Sequence, residues 1–306
     1  MNRSRKSIVF ASMAVLSWST VATAFKVALS YLSVFETLFI ACATALVIFT
    51  ILMTIEKSWG ELRKLPAKVW ITTAVMGLIN PVAYYLILFE SYDHLPAQVA
   101  QPINYFWPIA LLILLAIFNK QPIPKKKYIG MIVSLAGLTA ISLGGKGITG
   151  SISAYGLVLA LSSAILWAVY WMLNDRIKKQ VPESISLFLG FLSGMIFMCV
   201  CACFVTVDIP SSTALLAGMY VGAFEIGIPF ICFGIAIRTT DNPALINQMC
   251  YLAPFMSLFF ISVVLHEPIM PTTFIGLVLI IAGIVYNQYF ATRTNRKLSG
   301  SSVKLR

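Results

Sequence analysis

QPINYFWPIALLILLAIFNKQPIPKKKYIGMIVSLAG, residues 101–137, returns 146 positions later as NQMCYLAPFMSLFFISVVLHEPIMPTTFIGLVLIIAG, residues 247–283. Tyr105 meets Tyr251 and Pro108 meets Pro254. Pro122-Ile123 meets Pro268-Ile269, Ile129-Gly130 meets Ile275-Gly276, and Ala136-Gly137 meets Ala282-Gly283, all without a gap. With a small shift the same duplication pairs Trp18 with Trp167. A fixed-period repeat of this kind sets the architecture before any local reading does.

Working outward, each copy holds five stretches long and apolar enough to cross a bilayer, for which about 20 residues are needed. They are Ile8–Leu29, Val34–Ile55, Val69–Phe89, Ala97–Phe118 and Tyr128–Gly144, then Tyr155–Leu173, Ile185–Val207, Ala214–Ile237, Ala244–Leu265 and Thr272–Ala291. Five is odd, so the second copy must enter the membrane in the opposite sense. The expected fold is an all-α membrane protein of ten transmembrane helices in two inverted five-helix repeats. Residues 1–7 form an N-terminal segment, 8–144 the first repeat, 145–154 a linker, 155–291 the second repeat and 292–306 a basic tail.

Composition agrees. The 306 residues are 59% hydrophobic and only 11% charged, against about 25% charged in soluble domains. No segment alternates with period two, which argues against a porin-type barrel. The net charge of +11 is a matter of placement. With the N-terminus inside, 20 of the 22 lysines and arginines fall on the cytoplasmic side, and only Lys26 and Lys146 lie toward the other. That is the positive-inside pattern, with contact to anionic membrane lipid, and no nucleic-acid partner is expected. Arg3, Arg5 and Lys6, an apolar run and Ala22-Thr23-Ala24 have the outline of a cleaved leader. The run continues to Leu29, however, and Trp18 has a repeat partner, so this stretch reads as the first membrane helix.

Cofactor and metal motifs are absent from the reading. Cys199, Cys201 and Cys203 alternate sides of a helix, Gly145-Lys146-Gly147 lacks Walker spacing, and neither His94 nor His266 begins a zinc signature. The loops leave no room for a nucleotide-hydrolysing domain, so a secondary transporter, carrier or channel remains, with a small-molecule substrate and no catalytic residues expected.

Breaks in corresponding helices point to a central site. Pro81 and Pro229 interrupt the third and eighth spans, Pro108 and Pro254 the fourth and ninth, and these four are the expected kinks. Asn80 precedes Pro81, with Tyr84 one turn on. Gln101, Asn104 and Tyr105 share a helical face with Gln98; across the repeat Asn247 matches Gln101 and Tyr251 matches Tyr105, with Gln248 beside Asn247. Trp18, Trp167 and Tyr170 offer aromatic walls for an apolar or cationic substrate. Glu225, mid-span beside Gly227-Ile228-Pro229, is an intramembrane carboxyl and a functional candidate by its cost alone. Protons are the candidate coupling ion, and a monomer or a homodimer is expected.

These residues carry a resemblance. Leu265-His266-Glu267-Pro268 followed by Ile275-Gly276 and Ala282-Gly283, with Ala164–Trp167 and the looser pattern at Trp18, resembles the EamA-type members of the drug/metabolite transporter superfamily. Asn104-Tyr105-Phe106-Trp107-Pro108 is similar to the aromatic amino acid exporter branch. The resemblance implies a ten-helix inner-membrane exporter of small metabolites with both termini cytoplasmic. Three rival readings remain at this level, one of them a scaffold or insertion-partner protein, which would not need symmetric kinks or buried amides. Another is a carrier of nucleotide-sugars or other phosphorylated metabolites, which would want basic residues in its cavity. The third is a multi-span membrane enzyme acting on lipids, which would want a clustered His, Asp or Glu site.

Overall fold

The structure is a computed structural model that describes residues 3–118, 120, 123–144, 152–177, 180–206, 209–240 and 243–302; side chains at 3–4, 175–177, 243–244, 247 and 290–302 lie outside the description. The 145–154 linker therefore falls largely outside the described residues, as does the end of the basic tail.

Among the described residues all regular structure is helical. Nine spans are long and apolar enough to cross a membrane: α1 (Arg5–Leu29), α2 (Val34–Ile55), α3 (Ala67–His94), α4 (Ala97–Phe118), α5 (Lys127–Gly144), α6 (Ala154–Asn174), α7 (Glu183–Ala202), α8 (Ser212–Thr239) and, last in the chain, α10 (Pro271–Tyr289). The ninth, α9, differs from the unbroken Ala244–Leu265 expected above. It is two pieces, Pro243–Met249 and Leu252–Val264. The span α4 is divided likewise into Ala97–Asn104 and Trp107–Phe118. In both, the proline lands in the first turn of the second piece, where its missing N–H has no carbonyl to serve.

Local signals explain several helix starts. Ser33 and Glu36 form a reciprocal capping box at α2, with Glu36 N–H donating to Ser33 Oγ at 3.2 Å and Ser33 N–H donating to Glu36 Oε2 at 2.9 Å. Ser211 Oγ accepts from Ala214 N–H at the start of α8. The α4 N-terminus is capped from the other repeat: Ala97 N–H donates to Glu267 Oε1 at 3.2 Å.

The seam between α5 and α10 fixes how the repeats are related. Gly130 lies against Gly283, and Gly137 against Gly276. Numbers rise along one helix as they fall along the other, so the two run antiparallel. Gly130 and Gly276 are repeat partners, as are Gly137 and Gly283, so the two contacts exchange under a two-fold axis. Ser134 Oγ donates to the Ile280 carbonyl at 3.1 Å, a residue meeting its own partner 146 positions on. An axis across an antiparallel pair lies in the membrane plane, which is the inverted relation.

The remaining contacts obey the same symmetry. α1 packs along the second half of α8, as α6 does along the second half of α3. α1 also meets the second piece of α9, as α6 meets that of α4. Small residues mark two further, equivalent crossings, α3–α7 with Gly77 against the Gly190 backbone and α8–α2 with Gly222 against the Ala41 carbonyl, and Ala160, Ala164 and Ala168 are buried on α6.

A Cβ added at Gly137 or Gly283 would press into the carbonyl of Gly276 or Gly130. Gly137→Leu and Gly283→Leu should each lower the melting temperature in detergent, by an amount matching about 1–3 kcal/mol or more of overpacking. Gly60→Ala, where nothing lies within 4 Å of the added methyl, is the control and should melt unchanged.

Candidate functional site

The broken helices surround one chamber of about 590 Å³, within the size range of sites for small metabolites. Asn80 has extended backbone angles (φ −139°, ψ 114°) inside the Leu78–Ala83 segment, which turns α3 ahead of Tyr84. The matching segment of α8, Gly222–Gly227, is a π-type wide turn that carries Glu225. The breaks in α4 and α9 deliver Tyr105 and Tyr251.

Aromatic rings form most of the wall. Trp167 lies 4.7 Å from Tyr84 at an interplanar angle of 31°, and 5.6 Å from Tyr170 at 23°. Phe230 bridges the halves, 6.1 Å from Trp167 and 6.3 Å from Trp18. Trp107 stacks on Trp171 at 6.3 Å.

Polar groups are few and mostly tied. Trp18 Nε1–H donates to the Glu225 carbonyl at 3.1 Å, and Tyr85 O–H donates to Glu225 Oε1 at 3.1 Å. Tyr84 O–H donates to Asn104 Oδ1 at 3.3 Å, and Asn104 Nδ2 donates to Ser163 Oγ at 2.9 Å. Gln288 Nε2 donates to the Tyr251 hydroxyl. Two buried wall atoms have no protein partner, Gln101 Oε1 and Trp171 Nε1.

One end of the chamber is open and the other sealed. Glu183, the first residue of α7, lines it and is exposed, and Asn174, the last of α6, lines the same end. At the opposite end Phe25, Tyr92, Leu95 and Ala97 are buried. Gln98, fully buried there, stitches α4 to the strand of chain entering α10. Its Nε2 donates to the Pro268 carbonyl at 2.9 Å, and its Oε1 accepts from Met270 N–H at 2.9 Å and Thr273 O–H at 3.1 Å. Lys26 lies at this sealed end, in electrostatic reach of Glu267 and Asp93, rather than in the chamber wall.

Of the residues singled out from sequence, Trp18, Tyr84, Gln101, Asn104, Tyr105, Trp167, Tyr170, Glu225 and Tyr251 line the chamber together. Asn80 does not. It is 2% exposed and its amide faces the Tyr170 hydroxyl from behind the wall, because the extended backbone at that residue turns it away. Gln248 is exposed on the first piece of α9, outside the lining, since the break at 250–251 resets which face points inward. The side chain of Asn247 lies outside the described residues. Pro81, Pro108, Pro229 and Pro254 each sit at a helix break. Sequence reasoning missed Gln288, Phe230, Phe233, Glu183 and Cys250 as lining residues. Gln288 and Glu183 carried a signal, as polar groups near the same-side ends of their spans; the phenylalanines and the cysteine carried none.

A duplicated helical bundle, inverted across an in-plane axis around one chamber, defines a membrane transporter. The EamA-like transporter family model matches residues 5–143 and 154–287, one match per repeat, and the chain belongs to that family. It is a transporter rather than an enzyme. Similar proteins include the uncharacterized transporter YvbV of Bacillus subtilis strain 168, 25% identical over 221 residues covering 70% of each chain. An uncharacterized transporter of Clostridium kluyveri is 27% identical over 195 residues, covering 60% of this chain and 61% of its own. One from Archaeoglobus fulgidus is 27% identical over 168 residues, covering 54% and 56%. A solved crystal structure superposes with a TM-score of 0.66 at 20% identity, covering 95% of this chain and 99% of that one, and shares the fold.

The open and sealed ends are checked by cysteine labelling in a chain stripped of its six native cysteines. Asn174→Cys should react with a water-soluble maleimide in the resting protein. Ala97→Cys should stay unlabelled until the chain is denatured.

Proposed function

We propose that this transporter moves amino acids or related small amphipathic metabolites across the bacterial inner membrane by alternating access, in the export direction. The observation that carries the reading is a single chamber shared by two antiparallel halves, sealed at the Gln98 end and open at the other. A symmetric scaffold that closes one end has a related geometry for closing the other, because the helix pairings α1–α8 and α6–α3, and α1–α9 and α6–α4, exchange under the two-fold axis. The loops at the open end are rich in lysine and arginine. The positive-inside rule therefore supports cytoplasmic termini and loading from the cytoplasm. The aromatic wall supports the affinity with the aromatic amino acid exporter branch.

Glu225 supports proton coupling. A carboxylate removed from water needs a counter-charge, and a proton or a substrate ammonium meets that need in turn. The chain acts as a monomer or homodimer, with membrane lipid around it and no cofactor. Phosphorylated metabolites fit less well, since no lysine or arginine lines the chamber among the described residues.

Purified protein in preloaded proteoliposomes should release one or more of a panel of amino acids and related amines faster than protein-free vesicles; equal release for every solute would overturn the reading. Glu225→Gln should lose the stimulation of flux by a pH gradient while retaining solute exchange. A variant that keeps full gradient dependence takes Glu225 out of the coupling.

A further inference from the structure

The chamber is acidic on balance. Among the described lining residues the charged side chains are Glu225 and Glu183, with no lysine, arginine or histidine. Glu183, at the mouth, has Arg238 within electrostatic reach. Glu225, deep in the wall, has a tyrosine hydroxyl at 3.1 Å and no ion-pair partner among the described residues. Near it stand π-faces in van der Waals sequence: Trp167 between Tyr84 and Tyr170, with Phe230 joining this group to Trp18. A cation within about 6 Å of such faces is stabilised by the ring quadrupoles. Gln101 Oε1, on a residue 6% exposed, is a buried acceptor awaiting a donor. An ammonium group brings three donors and one positive charge, and so answers all three features at once.

A carboxylate on the substrate finds the opposite. It would share a low-dielectric chamber with Glu225 and no fixed cation, and like charges brought together there select against the wrong ligand. The free donor in the wall, Trp171 Nε1, is neutral and suits a hydroxyl or carbonyl oxygen. We infer that the chamber narrows the amphipathic class proposed above, a reading on which this rests, to organic ammonium ions with an aromatic or apolar body, favouring amines and amino acid amides over the amino acids themselves. Glu225 is the counter-ion, the Trp167–Tyr84–Tyr170 group holds the body, and Gln101 accepts an N–H.

Four ligands that share a ring and differ in charge decide the matter: 2-phenylethylammonium, phenylalanine amide, phenylalanine and 3-phenylpropionate. Binding to the purified full chain is followed by tryptophan fluorescence, with calorimetry as a second readout. The first two should bind, phenylalanine should bind about tenfold more weakly or worse, and 3-phenylpropionate should give no saturable signal. Glu225→Gln should weaken 2-phenylethylammonium by about tenfold. Phenylalanine binding as tightly as its amide would overturn the inference, as would no binding by any of the four. The ligand series needs no variant, so it decides even if Glu225→Gln folds poorly. Counterflow of phenylalanine amide in proteoliposomes separates the two readings. Selective binding without flux of any solute overturns the transport reading and leaves the ligand class standing. Flux of phenylalanine with no preference for the amide does the reverse.

Discussion

The approach of two helices at glycine holds the halves in place. Where α5 crosses α10, Gly130, Gly137, Gly276 and Gly283 let backbone touch backbone, and each lies against the non-equivalent glycine of the other repeat. In lipid there is little hydrophobic drive between helices, so close packing and the few available hydrogen bonds must supply the association. A seam that is its own image under a two-fold axis leaves little freedom in how the rest of each repeat meets the other. The α1–α8 and α6–α3 pairs, and the α1–α9 and α6–α4 pairs, follow from that one relation.

Breaking a membrane helix has a cost that confines where it happens. Backbone groups freed in hydrocarbon have no water to bond, so irregular backbone is tolerated inside protein or along a cavity. Three of the four breaks, at 105–106, 222–227 and 250–251, contribute lining residues, and the fourth, at Asn80, lies just ahead of Tyr84, which does. The prolines were legible markers of them because a missing N–H is indifferent to its surroundings. The duplication was legible for a related reason. Glycine at a backbone crossing and proline at a break admit few substitutes, so the 146-residue register survives in them while the lipid-facing positions drift among Leu, Ile, Val and Phe.

Less of the site could be read than of the fold. Spacing along a helix tells which residues share a face, and it placed Gln101, Asn104 and Tyr105 together. It does not carry across a break, because each break resets the angular register; Asn80, chosen for its place before Pro81, and Gln248, chosen beside Asn247, lie outside the lining. It also cannot distinguish two glutamines three residues apart on one face. Gln98 is fully bonded within the seal, and Gln101 is buried with its carbonyl oxygen unmet. Their difference lies in a partner segment, 268–273, that is 170 residues away in the chain. Phe230 and Cys250 were invisible as lining because nothing separates an apolar side chain facing a cavity from one facing lipid until the neighbouring helices are known.

The scaffold is symmetric and its chemistry is not. Gly77 and Gly222 stand 145 positions apart in equivalent crossings, and the same interval carries Asn80 to Glu225. One half therefore holds a neutral amide where the other holds a carboxyl, and the amide faces away from the chamber while the carboxyl faces in. Gln98, the latch of the sealed end, has Ala244 as its counterpart 146 positions on, a residue with no group to form the same bonds. Two identical halves would weigh open-to-one-side and open-to-the-other equally. In the proposed cycle the three-bond Gln98 amide would tilt that balance toward closure at its own end, because opening would strip a buried polar group of partners it cannot replace in lipid. In the proposed alternating-access cycle the duplication would supply two interchangeable states, and a handful of residues that break the duplication would decide which state rests and where the deep carboxyl sits.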